Sequence, residues 1–166
     1  MIVRGVSNGP FLWLAILLCP AAAGLTGWLG GMIGTLYQMV WGTSAERMQS
    51  RGLLLGLLCG LAGAAAWCGL MIPLAVRGLA RTRRASPRIV AWGALAGHAA
   101  GLLALGTLIG GMMACDGRWN ATLVLGGLAV SAVGGLALGA LGGLLTWGAS
   151  ALALTSPRGK TGDRPR

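Results

Sequence analysis

One histidine, four cysteines and three acids are scattered along this chain, and they are most of what it offers to chemistry. His98, in the stretch LAGHAAG, falls at the middle of an apolar segment. A polar ring at that depth has three uses: a hydrogen-bonded packing residue, a proton carrier, or an axial ligand to haem or chlorophyll. One histidine cannot supply both ligands of a bis-histidine haem. The ligand role would need a five-coordinate pigment, a sulfur partner or a subunit interface. Ala94, four residues earlier on the same helical face, would leave room for a flat macrocycle. Packing is the expectation and no cofactor is expected; haem or chlorophyll at His98 is the alternative.

The other reactive side chains form no constellation. Cys19, Cys59, Cys68 and Cys115 show no CxxC or other metal spacing, and the first three lie inside apolar stretches, where cysteine behaves as a small hydrophobe. Neither an internal disulfide nor a metal site is expected. Glu46 and Asp116 fall in turns beside Arg47 and Arg118, so the apolar stretches hold no carboxylate pair for acid–base work. Ser131 and Ser150 stand in no nucleophile motif. GASA at 148–151 has only a faint likeness to an intramembrane-protease turn, with no second catalytic group near it. The glycine-rich strings are apolar and lack a following Lys-Ser/Thr, which excludes a phosphate loop. No enzyme is expected.

The elements that would position these residues are membrane spans. The chain of 166 residues is 55% hydrophobic and 10% charged, where a soluble domain carries roughly 25% charged residues. Its charges cluster between long uncharged stretches, the pattern of a polytopic membrane protein. The expected fold is all-α: four transmembrane helices in two hairpins, forming one domain over 1–155. The spans are placed near 20–41, 52–76, 89–114 and 121–146, with a disordered basic cytoplasmic tail at 156–166. Pro20 is read as a break or kink, leaving 11–19 tilted or in the inner interface. The spans contain no Asp, Glu, Lys or Arg, which argues against ion-coupled transport, proton relays and voltage sensing. Small multidrug transporters also have four short spans, but the acidic residue of their first span is missing. The large paired-cysteine outer loop of claudin-like proteins is missing too.

Charge sets the orientation. Ten basic residues (Arg4, Arg77, Arg81, Arg83, Arg84, Arg88, Arg158, Lys160, Arg164 and Arg166) fall on one side and three (Arg47, Arg51 and Arg118) on the other. Both termini are therefore expected in the cytoplasm, in a bacterial inner membrane. The N-terminal MIVRGVSNGPFLWLAILLCPAAAG also has the form of a signal peptide, with an Ala-x-Ala-like site before Gly24. Cleavage there would turn the arginine-rich loop outward, against the charge rule, so the segment is expected to stay. The net charge of +10 is assigned to topology and to contacts of Arg77, Arg81, Arg83, Arg84 and Arg88 with anionic lipid headgroups, not to nucleic acid. Trp13, Trp41, Trp92, Trp119 and Trp147 fall near span ends, whereas Trp28 and Trp67 are expected to fill gaps between helices.

Glycine marks the packing faces. Small residues recur at every fourth position in each span, and a missing side chain lets helices approach closely in lipid. The rows are Ala23, Gly27, Gly31 and Thr35; Gly52, Gly56, Gly60 and Ala64; Gly93, Gly97 and Gly101; and Gly127, Ser131, Gly135, Gly139 and Gly143. Gly126, Gly134 and Gly142 form a second row beside the last. The expected role is a non-enzymatic accessory or scaffold subunit of a membrane complex, with a protein partner or a homo-oligomer. An oligomeric channel for a small neutral solute and a pigment- or haem-binding subunit are the alternatives.

Overall fold

Hydrocarbon offers no partner for backbone N–H and C=O groups, so long apolar stretches satisfy them internally as helices. The computed structural model describes residues 6–42, 45–117 and 121–155, and among these the regular structure is helical, with no strand. The elements are α1 (Gly9–Trp41), α2 (Ala45–Thr82), α3 (Arg88–Asp116) and α4 (Ala121–Thr155). All four are long and apolar enough to cross a membrane, consistent with an integral membrane protein. Arg4, Arg118, Trp119 and the tail at 156–166 lie outside the described residues.

The helices outrun the spans read from sequence. They hold 33, 38, 29 and 35 residues. At 1.5 Å per residue these are about 50, 57, 44 and 52 Å long, against about 30 Å of hydrocarbon. Pro20, read as a break or kink, does not break the helix: α1 is continuous through it. Proline removes one N–H from the ladder, but residues 11–19 have packing of their own to hold them helical. Phe11 and Leu14 are buried with Ala75 and Leu79 of α2 and with Ala149 and Ala153 of α4. Likewise α2 continues through Pro73 as far as Thr82. The expected basic loop thus shrinks: Arg77 and Arg81 are helical, Arg83 and Arg84 lie in the turn, and Arg88 opens α3.

Helix ends follow from local chemistry. Gly42 and Gly117 take left-handed conformations (φ 63° and 67°) that end α1 and α3. Their N–H groups donate to Gln38 and Met113 carbonyls at 2.7 and 2.9 Å. This is the left-handed cap that glycine adopts without a Cβ clash. Arg83 takes the corresponding conformation after α2 (φ 49°) and donates its N–H to the Leu79 carbonyl at 2.9 Å.

The most extensive contacts join α1 to α2 and α3 to α4; α2 meets α3 less, and α1 meets α4 less still. The chain is therefore two helical hairpins laid side by side. At one end lies the Phe11–Leu79–Ala153 cluster; at the other, Tyr37, Met48, Leu108 and Met112 form a second. These clusters fix the helices as antiparallel, with the start of α1 and the end of α4 at one end. Between them Trp67, Cys68 and Met71 are buried. Trp67 fills an interhelical gap as expected, but Trp28 does not: it is 61% exposed on the outer surface.

Candidate functional site

Within the first hairpin, α1 and α2 come close enough for backbone to meet backbone. A methyl group placed on Gly34 would lie 2.7 Å from the Met48 carbonyl oxygen, and one on Gly56 would lie 3.0 Å from the Gly27 Cα. Gly30 and Gly52 face each other, each blocking the other's Cβ position with its carbonyl oxygen. At Gly60 the added atom would meet the Ala22 carbonyl at 2.6 Å, and at Gly27 the tip of Leu57 at 2.8 Å. The Thr26 hydroxyl stands 2.7 Å from both the Ala22 carbonyl of its own helix and the Gly56 carbonyl across the seam. Its single proton serves either acceptor.

The second hairpin repeats the arrangement with the roles exchanged. A Cβ on Gly93 would lie 2.7 Å from both the Gly139 oxygen and the Gly143 Cα, and one on Gly101 would lie 2.8 Å from the Ser131 oxygen. Gly97 would run into Gly139 and the Gly135 carbonyl, and Gly143 would meet the Val90 Cα at 2.8 Å. Ser131, fully buried, donates its hydroxyl to the Gly101 carbonyl across the seam.

Two of the glycines read from sequence lie elsewhere. A Cβ on Gly31 would meet only the Leu53 side chain, at 4.0 Å; Gly30 and Gly34, absent from the expected row, make the close approaches. Gly127 points at the end of the Ile109 side chain, not at a backbone. Of the second row on α4, a Cβ on Gly142 would meet the Trp67 ring at 2.9 Å, whereas one on Gly126 or Gly134 would meet nothing within 4 Å.

His98 sits in the α3–α4 seam, where its Nδ1 lies 3.1 Å from the Ala132 carbonyl oxygen. A carbonyl only accepts, so Nδ1 is the donor of this hydrogen bond. Trp67 joins the hairpins: its indole N–H donates to the Gly93 carbonyl of α3 at 3.4 Å while its ring covers Gly142 of α4. The structure also brings together what sequence spacing kept apart, since Cys19 of α1 packs against the buried cluster that holds Cys68 of α2. Cysteines distant in sequence carry no signal for such packing. Among the described residues no group of three or more His, Cys, Asp or Glu could hold a metal ion.

Two hollows lie among the described residues. A cavity of about 290 Å³ opens between α1, α3 and α4 at the Tyr37 end; Met32, Leu36, Ile109, Met113, Gly126 and Val130 are on its walls. A smaller one of about 190 Å³ lies at the opposite end, where the α2–α3 turn meets α4, and Arg84, Ser86 and Arg88 line it. No family model, curated protein or solved structure matches the chain.

Proposed function

We propose that this protein is a non-enzymatic accessory or scaffold subunit of a membrane complex, each of its hairpins held together through a face of small residues. In lipid, helices gain nothing from hiding apolar surface and associate through close van der Waals packing, which glycine permits. The observation that carries the subunit role is the small-residue surface left over. Gly126 and Gly134 have open space at their Cβ positions, and Gly126 borders the apolar cavity between the hairpins. A neighbouring transmembrane helix would find there the close approach that the internal seams already use. The basic end carries the outer ends of α1 and α4, and the positive-inside rule assigns it to the cytoplasm of a bacterial inner membrane.

The test is the mass of the particle extracted in mild detergent, with Gly126→Leu beside the parent. The expected result is a species of fixed mass above one chain that falls to a single chain in Gly126→Leu, while the variant keeps its own thermal stability. A parent that runs as a single chain, or an assembly untouched by Gly126→Leu, removes this reading.

A second reading has one observation in its favour. The Nδ1–H of His98 is held by a backbone carbonyl, which is how a ligating histidine is commonly oriented, and Nε2 is left as the donor atom. Haem or chlorophyll would bind there through that nitrogen.

A further inference from the structure

The hollow at the basic end has features that neither topology nor helix packing requires. It lies between the last turns of α2, the turn that follows and the first turn of α3, and its volume is about 190 Å³. Its mouth is cationic: Arg84 and Arg88 both line it and both are exposed, with Ser86 between them. Its floor is apolar, formed in part by Ala75 and Leu79, each 2% exposed. Trp92 stands on its wall.

Nothing described neutralises the two guanidinium groups. Glu46, the carboxylate among the described side chains, belongs to the first turn of α2 at the opposite end of the bundle. Arg77 and Arg81 come from the same end as the pocket and add to its field. Helix α3 begins at Arg88 with no acid in its first turn, so the positive end of its dipole points the same way. The turn is also tied down: the Trp147 indole N–H donates to the Ala85 carbonyl at 3.3 Å, from α4 to the residue beside Arg84.

We propose that this pocket binds the phosphodiester of an anionic glycerophospholipid, with Arg84 and Arg88 on the phosphate and the glycerol and first acyl carbons on the apolar floor. Guanidinium forks match phosphate oxygens in pairs. Basic pockets between transmembrane helices at the cytoplasmic surface are suited to such headgroups. The shared chemistry is phosphate recognition; an apolar floor is of use to a lipid and of none to free phosphate. The assignment rests on the membrane-spanning reading and is independent of the scaffold role.

The experiment is native mass spectrometry of the full chain in detergent, counting phosphatidylglycerol retained against phosphatidylcholine. Arg84→Gln/Arg88→Gln is compared with Arg77→Gln/Arg81→Gln, which removes the same charge outside the pocket. Retention of phosphatidylglycerol is expected to fall about tenfold in the first pair and less than about twofold in the second, because screening weakens charges outside the pocket. Millimolar inorganic phosphate is expected to leave the bound lipid in place. Equal loss in both pairs, or no loss in either, would overturn the pocket in favour of a diffuse basic surface. Displacement by inorganic phosphate would overturn the lipid and leave a site for the free ion. A thermal melt of each variant without added lipid shows that the fold is intact.

Discussion

His98 is the side chain on which the two functional readings divide. In the packing reading its work is one hydrogen bond, Nδ1–H to the Ala132 carbonyl. Gln keeps a donor of similar reach, so His98→Gln is expected to change stability by about 1 kcal/mol or less, the usual size of one net hydrogen bond. Thermal unfolding checks this, and a visible absorbance spectrum of the purified parent checks the rest. A visible band that disappears in His98→Gln would make the protein a pigment carrier. The position of His98 within a span was legible in the sequence, but its partner was not. Which carbonyl a side chain reaches depends on how two helices are rotated against each other. An amphipathic pattern would report that rotation, and these helices are apolar all round. The packing of Cys19 against the cluster of Cys68 was hidden for the same reason.

At the scale of the helix, the small residues were legible and their phase only partly so. Every fourth residue advances about 40° beyond a full turn, so a strict four-residue row winds off a straight contact face. The close approaches on α1 instead fall at Gly27, Gly30 and Gly34, and the seven-residue step from Gly27 to Gly34 drifts by only about 20°. On α4 the row read from sequence stays in the seam from Ser131 to Gly143 and departs at Gly127. These phases separate the effects of substitution. Gly97→Leu and Gly139→Leu place an isobutyl group against the opposite backbone and are expected to lower stability by about 1–3 kcal/mol or more, the range for overfilling a packed site. Gly134→Leu, with open space at its Cβ, is the same chemical change on the same helix and is expected to leave the packing of the hairpin itself little changed. Thermal unfolding in one detergent measures all three. A Gly97→Leu protein as stable as the parent would show that the close approach at Gly97 and Gly139 does not hold the second hairpin together.

For the whole molecule, sequence hydropathy was enough for the number of helices, and their contacts now fix which ends lie together. Phe11, Leu79 and Ala153 share one cluster. That groups the start of α1 with the ends of α2 and α4 and with Arg77, Arg81, Arg83, Arg84 and Arg88. Reporter fusions after Thr82 and after Thr155 are expected to read cytoplasmic, and one at Glu46 external, by the positive-inside rule. An external reading after Thr82 would reverse the orientation. The lengths of the helices escaped the sequence reading because hydropathy marks where hydrocarbon ends, not where a helix does. Arg77 and Arg81 are polar enough to close a span and still helical.

The division into hairpins also bears on how the protein is made. The partners within a seam are near neighbours along the chain, as Gly30 is to Gly52 and Gly101 to Ser131. Closing such short loops is entropically cheap and fast. The first pair of helices is thus able to zip up in the membrane while the third is still being synthesised. The side-by-side contacts have to wait, since Phe11 meets Ala149 and Ala153 only when the last helix has left the ribosome. Until then, the face of the first pair that later receives α4 lies open to surrounding lipid and to any other newly inserted helix.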